Sequence, residues 1–112
     1  MASEQEKQLL GQAQLYQQQL QSIMTQKNAL NIQIADIKKA LEELEKTGES
    51  DIYKISGPIL VKTKKSDAKN ELDEKLEIMN SRIKTLEAGE KKAKAKIEEI
   101  RNKITKGGAI AE

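Results

Sequence analysis

The groups in this chain that could do chemistry are carboxylates, lysines and one glycine–lysine–threonine run, because it contains no cysteine and no histidine. That removes thiolate nucleophiles, sulfur-ligated metals, imidazole bases and the ordinary transition-metal sites. Paired carboxylates at Glu42-Glu43, Asp73-Glu74 and Glu98-Glu99 are the type used for general acid–base work. Such work needs environments that drive two pKa values apart, whereas these pairs stand beside lysines and read as a solvated face. The run Gly57-Pro58-Ile59-Leu60-Val61-Lys62-Thr63 echoes a phosphate-binding loop. It lacks the glycine before the lysine and does not open a helix, so no backbone cradle can form. Between Lys91 and Lys106 seven cations face only Glu98 and Glu99. They are spread around the helix with no aromatic for base stacking, and the glutamines Gln12, Gln14, Gln17, Gln18 and Gln19 lie opposite. A solvated cationic arm is the expectation: no enzyme, no cofactor, no metal and no nucleic-acid partner.

The element that must carry these groups is extended helix. Of 112 residues, 34% are charged and 2% aromatic, so the side chains that bury most area in a globular core are nearly missing. Ala, Glu, Lys, Leu, Ile and Gln dominate, a long-helix composition, and the length suggests one domain, 1–112. Leu9, Ala13, Tyr16, Leu20, Ile23, Lys27, Leu30, Ile34, Ile37, Leu41 and Leu44 alternate spacings of four and three. Leu72, Leu76, Met79, Ile83, Leu86, Glu90, Ala93, Ile97, Ile100 and Ile104 do the same. That spacing keeps one apolar seam on a slightly underwound helix, as in a left-handed coiled coil. Folding the tracts back on each other sets Leu44 against Leu72, Leu30 against Leu86 and Tyr16 against Ile100. The two seam-breaking charges, Lys27 and Glu90, then fall at one level as a register pair.

Ser3 with Glu6 has the form of a capping box, opening helix 1 at about 4. Lys46-Thr47-Gly48 offers a late cation and a glycine for a left-handed cap, closing it near 46. Ser66-Asp67 supplies an N-cap for helix 2, expected over about 67–106, with Lys106-Gly107-Gly108 ending it before a tail, 107–112. Between them, about 51–64, two β-rich runs flank Ser56-Gly57-Pro58 and predict a β-hairpin. Placing Ile55 opposite Ile59 and Tyr53 opposite Val61 gathers those four on one face and leaves Ile52 and Leu60 on the other. An isolated hairpin with two open edges is marginal in water. Ile52, Tyr53, Ile55, Gly57, Ile59, Leu60 and Val61 are therefore the expected oligomerisation surface. The fold class is mostly α: a long antiparallel two-helix coiled coil with one β-hairpin inserted between the helices.

The polar start Met1-Ala2-Ser3-Glu4-Gln5 shows no signal-peptide stretch, and the longest aliphatic run, Ile59-Leu60-Val61, is too short to span a bilayer. A cytoplasmic protein with no membrane partner is expected; the net charge of +2 discriminates nothing further.

Leu10-Gly11-Gln12, Tyr16-Gln17-Gln18-Gln19-Leu20-Gln21 and the hairpin from Tyr53 to Thr63 resemble the β type of the prefoldin family, its archaeal form above all. The likeness runs from about Leu9 to Ile104, and the single hairpin fits the β type, since α subunits carry two. The resemblance implies a hexamer of two prefoldin α subunits and four β copies, with hairpins forming a double β-barrel body and coiled coils projecting as tentacles. It implies capture of non-native polypeptides without ATP and their delivery to a group II chaperonin. Client contacts are expected at the helix ends away from the hairpin. Leu10 and Leu15 are apolar and off the seam there, beside Leu9, Ile104 and the tail residue Ile110. Met24, Ile32 and Ile78, also off the seam, lie farther in. A coiled-coil scaffold or filament-forming relative is the alternative; the two-faced hairpin argues against a simple scaffold, whereas a filament-forming relative would share much of this pattern.

Overall fold

The computed structural model of the chain describes residues 3–111, with side chains for residues 3–106. Helix α1 (Glu4–Lys46) is followed by strands β1 (Asp51–Ser56) and β2 (Ile59–Lys64) and helix α2 (Lys65–Ala111). The fold is thus mostly helical, with one antiparallel hairpin between two helices. It divides into two compact units. The first combines Met1–Asn28 with Lys84–Glu112; the second, Ala29–Ile83, contains the hairpin.

Serine caps α1 as the sequence suggests. Glu6 N–H donates to Ser3 Oγ at 3.1 Å and Lys7 N–H to the Ser3 carbonyl at 3.0 Å, satisfying donors that the first helical turn leaves free. The other end is built differently from the expectation. Gly48 does not take the left-handed conformation; among the described residues Gly57 is the glycine with positive φ. Instead Lys65 Nζ donates to the Thr47 carbonyl at 3.1 Å, and Thr47 Oγ1 accepts from Glu49 N–H at 3.3 Å. A cation from α2 thus closes the negative end of α1, where the helix dipole favours it.

Helix α2 begins at Lys65, whose N–H donates to the Ser50 carbonyl at 2.8 Å. Ser66 therefore stands inside the first turn and is not the cap. At the far end the helical backbone continues through Gly107 and Gly108 to Ala111, where a tail from 107 was expected. Glycine permits a left-handed stop without enforcing one. At about 1 kcal/mol each against alanine, two glycines weaken a helix rather than end it.

Seam positions are where the heptads put them. In the second unit Ile34, Ile37 and Leu44 are buried, and Ala68, four residues before Leu72 and outside the expected tract, is buried with them; in the first, Ala93 and Ile100 are. The remaining seam residues of both tracts are half-buried, because a two-helix seam covers a side chain from one side. Each therefore gains only part of the roughly 1.5–3 kcal/mol that full burial of an aliphatic side chain gives.

Candidate functional site

The hairpin turns through two residues, not three. Ser56 pairs with Ile59, Ile55 with Leu60, Lys54 with Val61, Tyr53 with Lys62 and Ile52 with Thr63. Gly57 takes φ +59, the value the first central residue of a type II′ turn requires, and Pro58 supplies the fixed negative φ of the second. That turn matches the twist of the strands, so it wins over the three-residue loop expected from Ser56-Gly57-Pro58. The one-residue shift redistributes the apolar side chains. Tyr53 and Ile55 share a face with Leu60, while Ile59 and Val61 join Ile52 on the opposite one; the expected four-residue face of Tyr53, Ile55, Ile59 and Val61 does not exist.

The two faces have different surroundings. On the Ile52 face, Ile52 and Thr63 are half-buried against the helices, while Ile59 and Val61, nearer the turn, stay 60% and 41% exposed. On the other, Tyr53, Ile55 and Leu60 stay 68%, 76% and 67% exposed. A groove between β1 and the helices is lined by Ala40 and Leu44 of α1, Ala68 and Leu72 of α2 and Ile52 of β1, and Tyr53 and Ile55, although mostly exposed, also border it. The hairpin is held over it by a contact that sequence reasoning missed: Lys54 Nζ donates to both oxygens of Glu71, 2.8 Å each. Lys75, one turn on, adds a second cation at 3.5 Å. The Lys54 hydrogen bonds and charge hold the Glu71 carboxyl below its ordinary value of 4.5, with Lys75 adding to the effect. Strand alternation put Lys54 on the face away from Tyr53, but nothing in the heptad pattern says which helix that face would meet.

In the first unit the register pair is present. Lys27 Nζ lies 3.5 Å from Glu90 Oε2, both side chains less than a quarter exposed, and Lys94 approaches the other Glu90 oxygen at 3.7 Å. The neighbouring Gly89 leaves room against Ile23, whose Cδ1 would stand 3.4 Å from an added Cβ. The cationic run is largely paired along its own helix: Lys96 and Lys103 with Glu99, Arg101 with Glu98.

Of the residues proposed to meet clients, Leu10 and Ile104 come together. They line one groove of the first unit with Ala13, Gln17, Ile97 and Ile100. Leu10 is 51% exposed and Leu15 59%, but Leu15 is not part of that groove; Leu9 is half-buried on the seam. The side chain of Ile110 lies outside the described residues. Met24, Ile32 and Ile78 are exposed. Among the described residues there is no group of His, Cys, Asp and Glu able to hold a metal and no helix long and apolar enough to cross a membrane.

Heptad-paired antiparallel helices joined by one β-hairpin, with apolar side chains left uncovered on that hairpin, define a class of coiled-coil subunit. Residues 7–107 match the family described as prefoldin subunit. The chain is 45% identical over 97 residues to a prefoldin subunit beta of Thermococcus onnurineus, covering 86% of this chain and 84% of that one. It is 44% identical over 97 residues to that of Pyrococcus furiosus, covering 86% and 83%. The crystal structure of the prefoldin beta subunit from Thermococcus strain KS-1 superposes with a TM-score of 0.88 at 38% identity, covering 94% of this chain and 93% of that one. The chain belongs to the prefoldin family, as a subunit of the β type.

Proposed function

We infer that the chain is a subunit of an ATP-independent cytoplasmic holdase. In this reading its hairpin assembles with a prefoldin α subunit and further copies of itself into a hexamer of two α and four β chains. The helix ends that bear the two termini hold non-native polypeptides, which pass to a group II chaperonin. No cofactor, metal or catalytic group takes part.

The observation that carries this reading is apolar surface left uncovered at two separate places. Tyr53, Ile55 and Leu60 form a wet apolar face on a two-stranded sheet, which alone is marginal; covering it stabilises the sheet, and that is a reason to assemble. Leu10, Leu15 and Met24 are exposed on helix positions the seam does not use, where they can meet hydrophobic segments of an unfolded chain without a shaped pocket.

The test is in two parts. Size-exclusion with light scattering, on this chain alone and mixed with a prefoldin α subunit, reads the assembly. Light scattering of a denatured protein diluted into the mixture reads the holdase activity. A stable hexamer that suppresses aggregation without ATP is expected. A hexamer that gives no protection sinks the holdase reading, and absence of any complex sinks the assembly reading.

A further inference from the structure

From Gln8 through Gln26 the chain carries no charged residue, although 34% of the whole is charged. This neutral stretch is amide-rich, and its glutamines are placed with order. Gln14, Gln17, Gln18, Gln21 and Met24 line one open groove on α1. Their spacing of three and four residues puts them on a single helical stripe. Gln17 also lines the groove that holds Leu10 and Ile104, so the stripe runs from Leu10 through Gln17 to Met24 within one unit. Leu10 and Met24, both about half exposed, are apolar anchors at its ends.

We propose that this stripe binds the peptide backbone of an extended, uncharged polypeptide segment, with glutamine amides bonding its N–H and C=O groups and Leu10 and Met24 covering its apolar side chains. This rests on the holdase reading and names the part of a client that is recognised. Three physical points support it. A carboxamide both donates and accepts, so it satisfies either edge of an unpaired backbone, which is what an unfolded segment exposes. The absence of charge matches the low charge of aggregation-prone segments; a lysine or glutamate here would have to lose solvent against an apolar partner. The dimensions agree as well. Leu10 and Met24 are two heptads apart, about 21 Å along a helix, a distance that an extended strand covers in about six residues. Flexible glutamine side chains absorb the mismatch between helix rows about 5 Å apart and strand repeats of about 7 Å. Capture consequently depends on the segment being apolar and uncharged, not on its particular residues, and is nearly independent of salt.

The test uses the assembled complex of the full chain with a prefoldin α subunit. The probe is a neutral apolar peptide of about eight residues, labelled for fluorescence anisotropy, with a backbone N-methylated analogue of the same sequence. The variant Gln17→Ala, Gln18→Ala, Gln21→Ala keeps helix propensity while removing the amides. It is expected to bind the plain peptide about tenfold more weakly, since each hydrogen bond contributes roughly 0.5–1.5 kcal/mol, and to lose clearly less against the N-methylated peptide, which keeps only its C=O groups for the amides. Binding by wild type should hold from about 0.05 to 0.5 M salt, a range that screens exposed charges. Equal affinity of variant and wild type for the plain peptide overturns the proposal, as does an equal loss for both peptides. A steep fall with salt assigns capture to the lysines of α2 instead and overturns it too. Self-association through the stripe, lost in the triple variant by light scattering, makes a second copy the occupant and also overturns it. In any of these cases intact suppression of aggregation by the wild-type complex leaves the holdase reading standing; its absence removes both.

Discussion

Lys27 meets Glu90 at 3.5 Å, two charges that each break an otherwise apolar seam and stand at the same level of two antiparallel helices. Such a pair would favour this alignment, because a slip by one heptad sets each charge against an aliphatic neighbour. Glu90 also bonds Lys94, so reversing the pair would bring two lysines together at i and i+4. The informative substitutions are therefore Lys27→Met and Glu90→Gln. A double-mutant cycle read by urea unfolding should give a coupling of about 0.5–1 kcal/mol. Additive losses would show that the two side chains do not sense each other.

Gly89 sits beside this layer. A methyl group added to it would stand 3.4 Å from Ile23 Cδ1, at the near edge of ordinary contact. Gly89→Ala therefore gains helix propensity without a clash and should raise stability by about 0.5–1 kcal/mol, seen as a higher midpoint in thermal unfolding. A lower midpoint would mean that Ile23 cannot shift by the small amount a methyl asks for.

The Lys54–Glu71 contact gives an acid-limb prediction. The folded-state pKa of Glu71 is depressed, chiefly by the Lys54 hydrogen bonds and charge. Its contribution to stability is present above the unfolded value and is lost as pH falls through the lower folded value. Wild type should exceed Glu71→Gln in stability at neutral pH, and the gap should close as pH falls below about 4. A gap that stays constant through that range would mean that the carboxylate's charge is not what holds the hairpin.

The seam was legible residue by residue, since its 4-3 spacing is a consequence of one geometry repeated along both helices. The Lys27–Glu90 level followed from it. What the sequence hid was decided by local backbone or tertiary geometry. Gly57-Pro58 selects a two-residue turn, and so moves Ile59 and Val61 to the other face. Thr47 is capped by a lysine eighteen positions away, a partner no local pattern names. Gly107 and Gly108 carry the ambiguity of every glycine near a helix end. The groove of Leu10 and Ile104 was half legible: Leu10 and Leu15 were both off the seam, but only Leu10 shares a groove with Ile104.

The corrected register changes which substitution should break assembly. Leu60, 67% exposed on the face of Tyr53 and Ile55, directly opposite Ile55 and diagonal to Tyr53, becomes the position to substitute. If that face is covered in the hexamer, Leu60→Asp buries an unpaired charge and should weaken assembly at least about 100-fold, the equivalent of some 3 kcal/mol. Circular dichroism should show the helices retained. Ile59→Asp, beside the turn on the opposite face, should do less. Full assembly of the Leu60→Asp chain, measured by light scattering, would remove the outer face from the interface.

The groove shared by Leu10 and Ile104 makes a distinction that exposure alone does not. Both leucines off the seam are about half exposed, so covering either by a client recovers about 1 kcal/mol of apolar transfer, or about fivefold in affinity. Leu10 and Ile104, however, line one groove, and Leu15 is outside it. Side chains that share a binding surface couple, whereas separate ones add. Leu10→Ser with Ile104→Ser should therefore cost less than the sum of the two singles, because the first change already spoils the groove for the second. Leu10→Ser with Leu15→Ser should cost close to the sum. The measurement is the concentration of assembled complex that halves light scattering from a denatured protein, compared across the singles and doubles. If all three positions add, clients rest on scattered side chains and the groove has no identity as a site. If none has an effect while the complex still protects, client contact lies elsewhere, with Met24, Ile32 and Ile78 the next exposed apolar positions to substitute.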